Sequence, residues 1–436
     1  MKLIVDENLL SFKVLEQKIF DYVCELGRQI TQQILEAYDT ELAESRDKKH
    51  YRGKGKRKTC IKTVYGEVEY KRAVYRTKTE QGENAYVYLL DEAMQMDKIG
   101  LISTNLAEKI AMTVTESPYR VTAETISNTC GQSISSGGVW NMMQRLGERL
   151  DEEEQYAVKE MDGIWLHMQD SSHKRMKKQE MKVFTMYEGW DKDQQRRSTL
   201  VGKTMLAGME TSRLFHEKRE ALIEKKYDVD EIQQRILNGD GGSWIKETYD
   251  PDAIFQLDRY HVYQEILRKI SDRNAQREAR NLFEEGKTEK LLEFLLVYAD
   301  SVETTDEKDK RSRNARELYR YLNNNKVGLL PYQKQGKKIP EPGEGIVYKN
   351  MGVQESQNCT VITMRMKHRR MRWSIKGASN MAKVLCCKEN KELCHTIEKY
   401  TDGLIFNARM NEIMETLSAA KTSKKDGKGN RYVELM

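Results

Sequence analysis

The sequence changes character at residue 162, and this change constrains the fold more than any other feature. Three strand-like runs follow one another from there, "GIWLHMQD", "EMKVFTMYEGW" and "STLVGKTMLAG", with polar turns between them. A helical segment comes next, from about residue 213 to residue 234. Two short apolar runs then end in acids, "RILNGDGG" and "AIFQLDRYH". The order is three strands, a helix and two more strands.

Three antiparallel strands, a helix and two further strands is the order of a ribonuclease-H-like fold, so we predict an α/β protein with such a core. Residues 263–344 are charged and rich in Glu, Lys and Leu, which predicts an all-helical insertion. The segment "IPEPGEG" marks the return to the core. The predicted core is therefore discontinuous and consists of residues 151–262 and 345–400.

Residues 1–45 predict one long helix, beginning near residue 7. An apolar stripe recurs along it at spacings of four and three: Leu15, Ile19, Val23, Leu26, Ile30 and Ile34. Such a stripe usually faces a core, but it also suits pairing with a second copy of the chain. We therefore treat this helix as a candidate dimerisation element.

Residues 46–150 predict a DNA-binding region that consists of a basic hairpin and a helix-turn-helix. "RDKKHYRGKGKRKTC" is typical of a loop, and "IKTVYGEVEYKRAVYRTK" alternates like a hairpin around Tyr65-Gly66, with tyrosines interleaved among the basic residues. In the helix-turn-helix, a first helix would run from Thr122 to about Thr129, Cys130-Gly131 would make the turn, and a second helix would start near Ser135. Two helices joined by a Gly turn are also common in helical domains that do not bind DNA.

Positive charge is concentrated in two blocks, although the formal net charge is only +6. Residues 46–78 contain thirteen Lys or Arg against three acids, and "RMKHRRMR" contains five Lys or Arg and one His. Clustered cations attract phosphates and release counterions on binding, whereas the plain alternative is a solvated surface. The candidate DNA-binding residues are Lys54, Lys56, Arg57, Lys58, Arg365, Lys367, Arg369, Arg370 and Arg372.

Acids stand at the edges of several strand-like or loop segments. Asp162, Asp240 and Asp258 occupy such positions, and Glu355 lies shortly before the second basic block. Each of them alone would ordinarily be a capping or turn residue. Together, carboxylates from distant parts of the sequence provide the hard oxygen ligands that Mg²⁺ prefers, and phosphoryl transfer uses two such ions close together. On this interpretation the glycines around Asp240 leave room for a metal ion and a DNA phosphate.

Several motifs together resemble a known family. "DGIW", "GDGGSWI", "QLDRYH", and "ES" followed by "RMKHRRMRWSIKGASNM" look like the transposases of the Lre-type bacterial insertion sequences, which are similar to the mutator-like group of DDE transposases. The resemblance covers about residues 45 to 385.

The resemblance implies a ribonuclease-H-like core with a helical insertion between the second Asp and the Glu, and strand transfer at the ends of a mobile element. By motif, Asp162, Asp240 and Glu355 match the three acids that hold two Mg²⁺ or Mn²⁺ ions. Asp258 and His261 match a neighbouring motif and are possible supporting residues. Asp170 closes the same strand-like run as Asp162, but Gly163 favours Asp162 because it completes the "DG" signature.

Two other functions fit parts of the sequence. A DNA-binding regulator without chemistry would need the hairpin and the helix-turn-helix but not the acids, and a structure-specific nuclease of the same fold would cut DNA without joining it. The paired ends of an element favour a homo-oligomer. The scattered cysteines, the acidic N-terminus and the absence of a long apolar run predict a cytoplasmic protein with no membrane segment. Residues 401–436 are typical of a flexible tail.

Overall fold

The computed structural model describes most of the 436 residues. These are residues 12–79, 82–94, 100–151, 160–193, 199–227, 232, 234–246, 253–306, 309–368 and 371–401, without the side chains of Asp151, Glu160, Met161, Asp162, Ser243 and Lys246. The protein is a mixed α/β structure of two compact units, residues 1–149 with 391–436, and residues 150–390. The segment 345–400, which was predicted to belong to the core, is therefore divided between the units. Residues up to 390 belong to the second unit, and residues from 391 belong to the first. The predicted tail lies outside the described residues after Thr401.

The first unit consists of a long helix, a three-stranded antiparallel sheet and a group of shorter helices. Its elements are α1 (Phe12–Ser45), β1 (Arg52–Thr63), β2 (Gly66–Lys78), β3 (Asn84–Val87), α2 (Leu89–Met94), α3 (Thr104–Glu116), α4 (Tyr119–Thr129) and α5 (Ser136–Asp151), whose last residues enter the second unit.

The second unit contains two sheets and a helical segment. Its strands are β4 (Glu160–Leu166), β5 (Gln179–Met186), β6 (Gly189–Asp191), β7 (Leu200–Val201), β8 (Thr204–Gly208), β9 (Ile236–Gly239), β10 (Ile254–Leu257) and β11 (Ile346–Val347). Its helices are α6 (Ser212–Lys226), α7 (Ser243–Lys246), α8 (Arg259–Lys269), α9 (Arg273–Glu284), α10 (Thr288–Ser301), α11 (Arg311–Asn324), α12 (Gln354–Gln357), α13 (Met364–Met366) and α14 (Ile375–Glu389). Helix α15 (Leu393–Thr401) belongs to the first unit.

Helix α1 confirms the predicted long helix over its described part, but its apolar stripe is buried only toward the C-terminal end. Ile34 and Leu35 are both buried, and Leu35 joins a core with Ile61, Val68 and Tyr70 of the hairpin. Ile19 and Val23, by contrast, are 45% and 56% exposed. The C-terminal half of α1 is therefore a core element of its own unit.

The hairpin begins earlier than predicted, because β1 already starts at Arg52, within the segment that the sequence predicted to be a loop. Ladder hydrogen bonds with β2 order this segment, and Gly55, at φ +95°, lies in the irregularity between Gly53 and Lys56. The hairpin tyrosines are not exposed among the basic residues as expected. Tyr70 and Tyr75 are 1% and 2% exposed, so they are core residues.

The helix-turn-helix elements are present, as α4 and α5 with residues 130–135 between them. Four apolar residues that recur at helical spacing in α5 are buried: Val139, Met142, Met143 and Leu146. The turn residue Gly131 donates its N–H to the carbonyl of Val64 at the hairpin tip. This hydrogen bond joins the turn between α4 and α5 to the tip of the hairpin.

The larger sheet of the second unit has the strand order β10-β9-β4-β5-β8. Strands β4, β5 and β8 are antiparallel neighbours, whereas β9 pairs in parallel with both β4 and β10. Helix α6 covers one face through Phe215 and Ile223, which pack on Phe184, Leu206 and Leu237. Since side chains alternate along a strand, the equally buried Met181 and Val183 face the other side, where α12 and α14 pack against this sheet.

Residues 263–344 contain most of α8, helices α9 to α11 and two 3₁₀ turns, Lys326–Leu329 and Tyr332–Lys334. Helices α8 to α11 form a core of their own, with Ile266, Phe283, Leu295 and Leu318 among its buried residues. No helix within the described ranges combines the length and the apolar character that crossing a bilayer requires.

We expect Gly131→Ala to destabilise the protein, because its Cβ would lie 2.7 Å from both the Cys24 sulfur and the Tyr65 carbonyl oxygen. Overpacking of this kind costs about 1–3 kcal/mol. Thermal unfolding should show a lower Tm. Gly137→Ala is the matched control: the nearest atom to its Cβ would be 3.8 Å away, so Tm should hold or rise. Equal Tm values for Gly131→Ala and the unmodified protein would contradict the packing argument.

Candidate active site

Two of the predicted acids lie at neighbouring backbone positions. Strands β4 and β9 run in parallel, and Met161 of β4 is paired with Gly239 of β9. Asp162 and Asp240 follow these two residues directly, so their backbones are at the same level on adjacent strands, which are about 4.8 Å apart. The two residues are far apart in sequence, and the parallel pairing brings them together.

Asp162 itself lies within β4, where its backbone pairs with Val183 of β5. Its side chain is outside the described part of the structure. Asp170, the alternative first acid, lies beyond the end of β4 in a tight turn. Its Oδ1 atom accepts the N–H groups of Ser172 and Lys174, each at 2.9 Å. A structural function thus accounts for Asp170.

The loop after β9 is held by its own backbone and by the helical insertion. Asp240 Oδ1 accepts the N–H of Gly242 at 2.8 Å, and the Asp240 carbonyl accepts the hydroxyl of Tyr321 in α11 at 2.8 Å. Gly241 has φ +83°, and a Cβ there would lie 2.5 Å from the Asn325 side chain. Turn geometry and close packing explain Gly241, whereas the sequence interpretation was that it leaves room for a metal ion and a phosphate.

Glu355 lies on α12, an element that packs against β4 and β5. Its neighbour Gln354 is buried and donates a hydrogen bond to Asn358 at 2.9 Å, while Glu355 is exposed. A π-helical turn, Asn358–Thr363, follows α12 directly. π-Helical turns are rare in proteins, and those that occur are often found at functional sites. The burial of Gln354 fixes which side of α12 faces the sheet.

Asp258 is buried at the end of β10 and caps α8. Its Oδ1 atom accepts the N–H groups of Tyr260 and His261, at 2.8 and 3.3 Å, and its Oδ2 atom accepts the side-chain amide of Asn238 at 2.8 Å. Gln256 donates to Asn238 in turn, at 3.2 Å. Asp258 therefore joins β9 to β10, and His261 lies half-buried in the first turn of α8. These hydrogen bonds fix the end of β10 and the start of α8.

The second basic block is divided by burial. Lys367 and Arg372 are exposed, but Arg365 is 5% exposed, with its guanidinium 5.5 Å from the Trp373 ring centre. Arg365 is therefore not available to DNA as predicted, because it packs inside the helical turn next to Trp373. Trp373 is buried and is a core residue. Arg369 and Arg370 lie outside the described residues.

The candidate DNA-binding residues of the first basic block lie toward the open end of the hairpin, away from its tip. Lys54, Lys56, Arg57 and Lys58 are all exposed. Lys56 forms an ion pair with the buried Asp39 at 3.3 Å, and Lys58 forms one with Glu69. Lys54 and Arg57 have no ion pair with an acid among the described residues, so they are the most available of the four.

The described side chains contain no group of three His, Cys, Asp or Glu that could hold a metal ion. This finding does not test the predicted set of Asp162, Asp240 and Glu355, because the side chain of Asp162 is not among the described side chains. The sequence analysis did not find Tyr321 and Asn325. They support the Asp240 loop from more than eighty positions away, and no local pattern marks them.

Comparison with known proteins gives one family and several relatives. Residues 5–399 match the model described as "Uncharacterised protein family (UPF0236)". Two UPF0236 proteins of Caldanaerobacter subterraneus subsp. tengcongensis are similar to the chain. The first is 24% identical over an alignment of 435 positions, and the alignment covers 96% of this chain and 87% of that protein. The second is 24% identical over an alignment of 427 positions, which covers 93% of this chain and 86% of that protein. The name of the first joins eleven locus labels of one strain. Because the family model matches most of the chain, the chain belongs to the UPF0236 family.

Proposed function

We propose that the chain is a DNA transposase, which cleaves and joins the DNA ends of a mobile element by two-metal phosphoryl transfer on a ribonuclease-H-like core. The observation that carries the proposal is the parallel register of β4 and β9. It sets Asp162 level with Asp240, and the helix that contains Glu355 packs against the same strand β4. Three acids at such positions suit a shared metal site.

The strand arrangement supports the ribonuclease-H-like part of the proposal. Three antiparallel strands are followed by α6 and then by two strands parallel to the first, which lies at the centre of the sheet. This is the order that the sequence predicted for such a core. The helical segment lies between Asp240 and Glu355, which is where the resemblance to DDE transposases implies an insertion.

The relatives support the mobile-element part. A protein name that joins eleven locus labels in one strain describes a sequence present in many copies. Another UPF0236 protein of the same organism is named with four such labels. Insertion sequences multiply in this way, whereas a regulator or a housekeeping nuclease is ordinarily encoded once. The copy number therefore favours transposition over the two rival functions.

The three acids provide hard oxygen donors, which fit Mg²⁺ or Mn²⁺. When bound, two such ions lower the pKa of the attacking water and neutralise charge on the phosphate. The protein's own contribution would be position: the pairing of β4 and β9 sets the backbones of the two aspartates, α12 packs its helix against β4, and the Tyr321 hydroxyl holds the Asp240 carbonyl. The exposed cations of the hairpin would hold DNA phosphates and set the register of the DNA.

Asp240→Asn should abolish strand cleavage and leave DNA binding intact. The substitution replaces a negatively charged metal ligand by an uncharged amide, which should cost several kcal/mol of transition-state stabilisation. A loss of about 4 kcal/mol corresponds to about a 10³-fold fall in rate. Cleavage of a labelled element-end duplex in Mg²⁺, and binding of the same duplex in chelator, measure the two effects. Asp170→Asn is the control and should cleave normally, because Asp170 is a turn residue. Full cleavage in chelator would contradict the metal mechanism.

Tyr321→Phe should slow cleavage without weakening DNA binding, because it removes the hydroxyl that holds the Asp240 carbonyl. A hydrogen bond contributes about 0.5–1.5 kcal/mol, so we expect up to about a tenfold fall in the cleavage rate constant. Tyr319→Phe, on the same helix and half-buried, controls for loss of a hydroxyl. An equal effect of both substitutions would show that the support from Tyr321 is not specific.

Lys54→Gln with Arg57→Gln should weaken binding to all duplexes about equally, since phosphate contacts do not read bases. Each lost contact should reduce the steepness of the plot of log affinity against log salt by about 0.9. Fluorescence anisotropy at several salt concentrations measures both. Lys18→Gln with Lys109→Gln, exposed on α1 and α3, removes the same charge elsewhere in the unit. If both double variants bind alike, the hairpin is not a DNA contact.

A further inference from the structure

A short hairpin loop extends beyond β4. Met168 accepts the N–H of Met176, and Gln169 is bridged to Arg175, so the chain turns back on itself over residues 170–174. Asp170 closes this turn through the hydrogen bonds described above. Residues 171–178 are all exposed, and their sequence is "SSHKRMKK". The turn therefore presents a dense run of cations at a fixed place.

A second segment, distant in sequence, pairs with the base of this loop. Gln169 donates its N–H to the carbonyl of Trp373 at 2.8 Å, and Trp373 donates its N–H to the carbonyl of His167 at 3.0 Å. The buried Trp373 ring, which donates to the Met366 carbonyl at 2.8 Å, anchors this segment. The pairing brings Lys367 and Arg372 next to the cations of the loop.

The resulting surface has little internal neutralisation. We define the β4-end patch as the six exposed side chains Lys174, Arg175, Lys177, Lys178, Lys367 and Arg372. None of the six forms an ion pair with an acid in the described part of the chain, unlike Lys56 and Lys58 of the first unit. Their mutual repulsion is therefore relieved only by solvent, by salt or by a bound anion.

His167 lies at the base of the patch and reports on its charge. Partial burial and then the nearby cations Lys178, Arg175, Arg372 and Lys367 lower the pKa of its imidazole. The four cations come from both segments, which supports their closeness in space. An anion bound among them would offset their effect and raise this pKa.

We propose that the β4-end patch binds the phosphate backbone of duplex DNA, with the loop 173–178 as a contact that the sequence analysis did not assign. His167 is five residues beyond Asp162 along the same chain direction, or about 17 Å at the rise of a strand. Duplex DNA carries one charge per ~1.7 Å of its axis, so a duplex held near the acids carries many phosphates within this reach. The inference rests on the proposed function and names where the flanking DNA is held.

The test compares two fourfold variants of the full chain. K174Q/R175Q/K177Q/K178Q removes four cations of the patch, and R273Q/R277Q/K290Q/R320Q removes four exposed cations from α9 to α11. Both have the same net charge. Anisotropy with a duplex in chelator, at 50 to 200 mM salt, should show at least about a tenfold loss of affinity for the patch variant. Its salt slope should be less steep by up to about 3.6, which is about 0.9 for each of the four cations. The control variant should bind nearly normally.

A second measurement locates the DNA independently of affinity. NMR titration of His167, assigned by loss of its signal in H167Q, should show a higher pKa when duplex DNA is bound. DNA held only by the first unit would leave this pKa unchanged, and that result, or equal affinities of the two variants, would overturn the inference. If the patch variant alone loses affinity for anionic vesicles while both variants bind DNA equally, the ligand is a membrane surface and the inference is wrong. Failure of the unmodified chain to bind any duplex would instead overturn the proposed function.

Discussion

Strand β9 lies between β4 and β10 and pairs with both in parallel, although it has only four residues. The side chain of Asn238 in β9 is fully buried. Its Nδ2 group donates a hydrogen bond to Asp258, and its Oδ1 atom accepts one from Gln256. A buried amide left without partners would cost about 1–3 kcal/mol, so this chain of polar contacts fixes which residues of β9 and β10 are opposite one another. Since β9 also sets the level of Asp240 against Asp162, the register of the site depends on the same contacts.

The helical insertion completes this arrangement. It has its own apolar core, yet it contacts the end of β9 through the Tyr321 hydroxyl and the Asn325 side chain. A loop after a parallel strand would ordinarily be mobile, because few contacts hold it. Here a packed group of helices holds the Asp240 carbonyl, so the position of a predicted metal ligand is coupled to a segment more than eighty residues away. The helical segment therefore stabilises the loop that contains Asp240.

The succession of elements in the second unit could be predicted from local patterns, because short apolar runs, glycines and acids mark strands and turns within a few residues. Helix α5 was also predictable, since its buried residues Val139, Met142, Met143 and Leu146 repeat at helical spacing. Three features were not predictable. The strand at residues 52–60 forms through pairing with β2, the tyrosines 70 and 75 are buried by α1 and the rest of the unit, and Arg365 is buried beside Trp373. In each case the decisive partner is distant in sequence.

The separation between fixed acids and exposed cations has a mechanistic consequence. Backbone pairing sets the level of Asp162 against Asp240, whereas Lys54 and Arg57 of β1 and the side chains of the β4-end patch are exposed to solvent. Phosphate contacts made by long flexible side chains tolerate small shifts of the DNA, but in-line phosphoryl transfer does not, because misplacement by about 1 Å costs about 10²-fold in rate. Binding and chemistry should therefore respond to different substitutions. A protein that used the same residues for both could not show that separation.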